Sequence, residues 1–493
     1  MKHKTHPGAS IRANRSRRHL ALLLAILIVF SAAPSAIAGQ AGLSLERAVE
    51  IAQERNEEIL IAYEDQNNAD AFVRQAKANM LPNLELVGTY QRNFTKPAFF
   101  IPPDLVSDDG DSNGEDGGDP NGEDGGDLKV EIGSDFEASG QIRLDQILFA
   151  FGRLGNALDA AKLVKRIARL GVEDVRGQLI FLVKVAYYRV LLAERVAAIQ
   201  RKSLEQAESH LEQVESKLSQ GTVSRFDHLR AQVEVKNRQP ELISAENELA
   251  LAMQDLKRIV GIDKEPDPAL SDSLAFTPIE FDEEAAVHEA FSRRPDMLSL
   301  QLSLERTRKR LAIQKAARLP TLGLFGHLLF QGQADDDFLA PFDSDHRAVS
   351  TAAGITLTFP IFDGFRTKAG IQQAEAELRK AEYELSSGRK RIRLEVTKAV
   401  KDLKNIKRAY DAQQATVSLA KETYAIAETR FANGLSTRLE LTDAETALEM
   451  ARVNFATTLY EYDVALANLE RALGRNARRD DMSQGEHPTG QEE

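Results

Sequence analysis

The spacing that most invites chemistry lies in an acidic run ahead of the middle of the chain. Asp109, Asp111, Asn113 and Gly114 reproduce the opening of a calcium-binding loop, in which oxygen ligands alternate along the backbone and a glycine makes the sharp turn. Such a loop closes on a bidentate glutamate, and the closing position here is Pro120. Residues 104–127 contain ten acidic side chains and the run N-G-E-D-G-G-D twice, at 113–119 and 121–127. A segment of that composition has nothing with which to build a core, so it reads as a solvated surface loop.

Catalytic chemistry finds no footing elsewhere. The nine histidines are scattered, three of them within the first 38 residues, and there is no H-E-x-x-H, no phosphate-cradling glycine loop and no Gly-flanked serine. Paired carboxylates are numerous, but they fall on helix surfaces, where solvation explains them. The chain has no cysteine, which excludes disulfides, thiol chemistry and a lipid on an N-terminal Cys. No catalytic residue, metal ligand or cofactor is assigned, and the sequence is not read as an enzyme.

The elements that must carry any function are unusual in length and are duplicated. A constant offset of 213 places Phe149 on Phe362, Arg153 on Arg366, Gly221 on Gly434, Arg225 on Arg438, Ala231 on Ala444 and Gly261 on Gly474, a tandem repeat without insertions. Residues 153–220 and 366–433 contain no proline and are rich in helix formers. Leu179, Val183, Ala186, Val190, Ala193 and Ala197 share a heptad seam with Ile392, Val396, Ala399, Leu403, Ile406 and Tyr410. Each copy therefore predicts a helix roughly 100 Å long. Gly221 and Gly434 suit left-handed caps, and Ser224 and Thr437 can start helices that return to Gly261 and Gly474. Pro240 should kink or break the first return helix. A shorter helical unit repeats at an offset of 238, residues 43–80 leading to Leu81-Pro82 and a second copy leading to Leu319-Pro320.

After each proline the period changes to two. Leu84, Leu86, Gly88 and Tyr90 form one face of a strand; Phe136, Ala138, Gly140, Ile142 and Leu144 form one face of another. The second repeat offers Leu322, Leu324, Gly326, Leu328 and Phe330, then Thr351, Ala353, Ile355, Leu357 and Phe359. Strands of about ten residues match a tilted crossing of a bilayer, and also match a half-buried soluble sheet. A membrane sheet must close on itself, and four strands cannot; the smallest usual barrel has about eight, so several chains would have to contribute.

Six basic residues precede an apolar run from 20 to 30 and then Ala36-Ile37-Ala38, the pattern of a secretory signal peptide cut after Ala38. Its removal lowers the formal net charge from −12 to −18, which argues against a nucleic-acid partner. The domain reading is a signal peptide 1–38, a first repeat 39–261, a linker 262–284 with three prolines, a second repeat 285–474 and a disordered polar tail 475–493.

With its duplicated Leu-Pro junctions, the run I-F-D-G-F-R at 361–366 with its weaker partner L-F-A-F-G-R at 148–153, and the tips at Gly221 and Gly434, the chain resembles the outer-membrane efflux protein (TolC) family. The resemblance covers nearly all of the mature chain. It implies a mainly α fold with membrane β: duplicated long antiparallel hairpins forming an α-barrel tunnel, and four strands per chain in a twelve-stranded barrel of a homotrimer. It further implies a passive exit duct in the outer membrane and its lipid, recruited by a periplasmic adaptor protein and an inner-membrane transporter in tripartite efflux or type I secretion. By the same resemblance Asp227, Glu440 and Asp443 would ring the periplasmic aperture, with Arg225 and Arg438 as links holding it shut. Gly221, Thr222, Gly434 and Leu435 would meet the adaptor. Where the family places a gate arginine two residues past the second glycine, this chain has Ser436. The competing reading is a secreted coiled-coil scaffold or adaptor without a pore.

Overall fold

The computed structural model describes residues 42–101, 128–335 and 337–477. The signal peptide, the acidic loop 104–127 and the tail beyond Ala477 lie outside the described residues. Two hairpins dominate: α3 (Arg153–Ser219) returns as α4 (Arg225–Val260), and α7 (Arg366–Ala432) returns as α8 (Arg438–Leu473). Both descending helices have 67 residues and both returning helices 36, so the offset of 213 holds at every boundary.

The other helices explain how the hairpins are docked. The first unit is expected as one helix but is two, α1 (Leu45–Arg55) and α2 (Glu57–Ala78), and its copy likewise divides into α5 (Glu283–Arg293) and α6 (Pro295–Ala316). The breaks fall at Asn56 and Arg294. Asn56 caps α2 by accepting from the Glu58 amide, and its Nδ2 donates to the Ile259 carbonyl at 3.0 Å. Arg294 donates from Nη1 to the Ala472 carbonyl at 3.3 Å. Ile259 and Ala472 are equivalent under the offset of 213, as Asn56 and Arg294 are under 238. Each break thus satisfies an orphan carbonyl at the end of a return helix. Gly261 and Gly474 lie beside these breaks with φ of +82° and +75°, and a Cβ on either would come within 3.0 Å of Arg55 or of the Arg294 backbone.

Two equivalent apolar cores follow. Leu179, Val183, Tyr187, Val190, Leu256 and Val260 pack against α1 and the start of α2; Ile392, Val396, Val400, Leu403, Leu469 and Leu473 pack against α5. The linker is part of both: Leu270 and Leu274 join the first core, Phe276 and Phe281 the second. Its middle is tied by two hydroxyls, Tyr187 bonding to Asp272 as well as to Leu43 O, and Tyr462 donating to Thr277 O. Of the expected kink or break at Pro240 the break does not occur: the return helix α4 runs through it, and buried Val235 and Ala245 on either side outweigh one missing hydrogen bond. Arg475–Ala477 form a 3-10 turn held by a bidentate Arg475–Glu289 pair.

The strands β1 (Asn83–Arg92), β4 (Phe136–Phe149), β5 (Thr321–Ala334) and β6 (Arg347–Thr358) make one antiparallel sheet in the order β1-β4-β5-β6. A short hairpin not expected from the sequence, β2 (Ala98–Ile101) with β3 (Leu128–Glu131), carries the acidic loop. The register keeps the two faces distinct: Leu86, Ile142, Leu328 and Thr351 lie across from one another, as do Glu85, Arg143, His327 and Ala352. One face is therefore apolar nearly from end to end and the other polar, and the outer strands β1 and β6 have no partner on their far sides among the described residues.

Candidate functional site

The tips are built by local backbone chemistry. Gly221 and Gly434 take φ of +71° and +70°, letting the Thr222 amide reach the Lys217 carbonyl at 3.0 Å and the Leu435 amide reach the Arg430 carbonyl at 2.8 Å, which satisfies the last carbonyls of the descending helices. Ser224 accepts from the Asp227 amide at 3.2 Å, while the Asp227 carboxylate accepts from the Ser224 amide and hydroxyl, a complete capping box. These bonds hold the Asp227 carboxyl below the ordinary carboxylate range. Thr437 accepts from the Glu440 amide at 3.3 Å. Gly221, Thr222, Gly434 and Leu435 are all exposed, and added Cβ atoms on the two glycines would meet nothing within 4 Å.

The aperture residues named from sequence are thus all exposed near the tips. Asp227 and Glu440 are engaged by their own caps, and Asp443 and Arg225 have no bonded partner among the described residues. Arg438 differs. Its guanidinium donates to Glu234 of the neighbouring hairpin at 3.1 Å and to Glu445 at 3.4 Å, over the Phe431 ring at 5.9 Å. Four residues further along each return helix, Arg238 pairs with Glu449 at 2.7 Å, and Glu449 also accepts from Gln200 and Ser203 of α3 at 3.0 Å. All five charged groups are mostly shielded from solvent, with 14–19% side-chain exposure where paired. Burial raises the Glu445 carboxyl above its usual range, with Glu234 adding to the effect and Arg438 opposing it.

Sequence reasoning named Arg438 but none of its partners. A signal for them does exist in the repeat. Under the offset of 213 Glu234 and Arg238 correspond to Ala447 and Ala451, and Glu449 to Lys236. Charge facing alanine at the first two positions, and charge reversal at the third, mark where the two hairpins touch each other.

The helices form a single layer. Toward the sheet the order is α2-α3-α6-α7, and toward the tips α4-α3-α8-α7, with α1 packed on α3 and α4 and α5 on α6, α7 and α8. Both edges expose apolar side chains: Phe226, Val233, Ile243 and Leu251 on α4, and Tyr383, Leu394, Leu419 and Ile426 on α7. A helical palisade about 100 Å long, continuous with an open sheet whose apolar face is covered, among the described residues, only at its far end by the loop 337–346, is the wall of a membrane-embedded duct. Its class is that of an outer-membrane channel subunit.

Comparison with known proteins agrees. The profile of the outer membrane efflux protein family matches residues 48–262 and 286–475, and the chain belongs to that family, whose members are transport channels of the outer membrane. It is 26% identical over 336 residues to the outer membrane protein OprJ of Pseudomonas aeruginosa, covering 66% of this chain and 67% of OprJ. It is 25% identical over 314 residues to the alkaline protease secretion protein AprF of the same organism, covering 62% of this chain and 64% of AprF. The alignments thus span about two thirds of the length of these relatives. The fold superposes on the Campylobacter jejuni CmeC outer membrane channel with a TM-score of 0.70 at 18% identity, over 87% of this chain and 85% of that one.

Proposed function

We propose that three copies of this chain close edge to edge into an exit duct, β6 of one protomer pairing with β1 of the next and α7 packing on α2 and α4. The observation that carries this is the four-stranded sheet with one apolar face and two open edges: its unpaired backbone groups require partners in hydrocarbon, and three copies make a barrel of twelve strands. The exposed apolar stripes of α4 and α7 continue the same two edges into the periplasm. The duct serves tripartite efflux or type I secretion, a periplasmic adaptor docking on Gly221-Thr222 and Gly434-Leu435 and an inner-membrane transporter supplying cargo. Because the natural sequence has no cysteine, single-residue Cys pairs scanned along β1 and β6 give an unambiguous test. Disulfide-linked dimers and trimers are expected at one register, and a ladder limited to monomer would refute closure.

At the tips, Arg438 is the latch. It holds the second hairpin against Glu234 of the first, while Asp227, Glu440 and Asp443 supply the negative potential of the aperture once three copies converge. Arg438→Gln leaves Glu234 and Glu445 facing each other without a cation, so the hairpins should part and single-channel conductance in planar bilayers should rise several-fold. Replacing Asp227 and Asp443 together by asparagine should instead reduce cation selectivity with little change in the resting aperture. Unchanged conductance in the first variant would remove Arg438 from the gate.

A further inference from the structure

The apolar face of the sheet carries, among its described strand residues, only two charges. They are Arg92, the last residue of β1, and Arg347, the first of β6, and both lie at the end remote from the helices. From Leu84 to Arg92 is eight residues and from Leu357 to Arg347 ten, which at about 3.4 Å per residue and a tilt near 40° places both guanidinium groups roughly 21–26 Å above the periplasmic end. That is the height of the far rim of the hydrocarbon band, where an arginine on the lipid side ceases to be costly. Neither side chain bonds a carboxylate among the described residues. Arg92 lies over the rings of Phe94 and Phe136 at 5.1 and 5.3 Å, and Arg347 is exposed. Lys96, another cation of this rim, is already taken by Asp135 and Asp335 at 3.2 and 2.7 Å.

Between the two arginines the loop 337–346 folds down onto the same face instead of projecting away. The Tyr90 hydroxyl donates to the Phe338 carbonyl at 2.6 Å. Phe338 and Phe342 pack on Tyr90 and Phe330 with ring centroids 4.8 and 6.2 Å apart. The loop backbone lies so close that a Cβ on Gly332 would sit 1.7 Å from the Pro341 carbonyl oxygen. This leaves Phe338, Leu339 and Phe342 exposed as a layer outside the barrel wall, a position favoured at the boundary between acyl chains and headgroups.

We propose that this rim, Arg92 and Arg347 flanking the Phe338-Leu339-Phe342 wedge, is a binding site for a phosphorylated glycolipid of the outer leaflet. The wedge enters the upper acyl layer, and each guanidinium forks onto a headgroup phosphate. Continuity with the hydrocarbon-facing band points to a lipid as the occupant, and two guanidinium groups with no bonded carboxylate among the described residues point to an anionic headgroup.

The test uses the full-length protein in detergent and bis-phosphorylated lipid A as probe, with phosphatidylcholine as control, read by native mass spectrometry. Lipid A should be retained and phosphatidylcholine should not. Arg92→Gln with Arg347→Gln should weaken retention at least about tenfold, because two charge-assisted hydrogen-bonded contacts are lost, while heat-modifiable mobility and conductance stay as in the parent. Monophosphorylated lipid A should bind with intermediate strength. Should the double variant fold poorly, Arg92→Lys with Arg347→Lys keeps the charge but loses the fork, and is expected between the two. Equal retention by parent and double Gln variant would overturn the proposal. So would loss of binding on Asp343→Asn with Asp345→Asn but not on arginine replacement, since the exposed loop acids would then be holding the lipid through a bridging cation.

Discussion

Among single residues, Asp463 on α8 gives the clearest pH signature. Burial pushes its carboxyl up to about 7, and its charge is felt by the Tyr188 phenol of α3. A carboxyl whose folded pKa exceeds its unfolded value makes the folded state the better proton binder between about pH 4 and 7. Stability should therefore fall as pH rises through that window. A melting temperature measured at pH 5.5 should exceed that at pH 8, and Asp463→Asn should remove most of the difference while raising stability at pH 8; an unchanged difference would exclude Asp463 as its source. Residues of this kind differ in how far a sequence reveals them. The capping roles of Ser224 and Thr437 were legible because a cap is written within four consecutive positions. The Arg438–Glu234 pair was not, since it joins residues 204 positions apart through the angle between two hairpins. The same distinction separates Asp227, tied by its own cap, from Asp463, whose burial depends on which face of α8 meets α3.

At the scale of elements, length and period were readable because they repeat. A heptad seam held over six positions in both copies leaves little freedom in where the helices begin and end, and the glycines at 221, 261, 434 and 474 mark the turns. Periodicity could not supply the break at Asn56, since a polar residue within a helical pattern signals a break only when a distant carbonyl requires it; the break at Arg294 did have a local signal, Pro295 at the first position of α6. Gly474 shows the difference between a turn in open space and one under a neighbour. Gly434→Ala meets only the strain of a positive φ and should cost about 1 kcal/mol. Gly474→Ala adds a 3.0 Å contact with the Arg294 backbone and should cost about 2–3 kcal/mol or more, with α6 loosened, as thermal unfolding would read. Pro240 offers the opposite case. The equivalent residue of α8 is Val453, which supplies the amide that proline lacks, so Pro240→Val should stabilise α4 by about 1–3 kcal/mol. Destabilisation by that variant would show that the helix uses the proline, for instance to set the curvature of the hairpin.

For the whole molecule the constraint is that every rod must arrive at the same height. Helices of 67 and 36 residues in each hairpin place both tips of a protomer level, and in a closed ring all six tips level. Nothing in the packing of one hairpin alone demands that equality, because each core closes within its own repeat. It becomes necessary when Arg438 of one hairpin must find Glu234 of the other. Deleting one heptad from α7 and the matching seven residues from α8 keeps each seam in phase but draws the second hairpin back by about 10 Å. The barrel and the upper cores should still assemble, so heat-modifiable trimer should persist, whereas the latch pairs and the aperture ring should not form and the resting conductance should rise. Deleting one heptad from each of α3, α4, α7 and α8, at equivalent positions between the cores and the latch, restores level tips and should restore the resting conductance. If the one-sided deletion stayed closed, or the matched deletion stayed open, equal length would be a remnant of duplication without a part in gating.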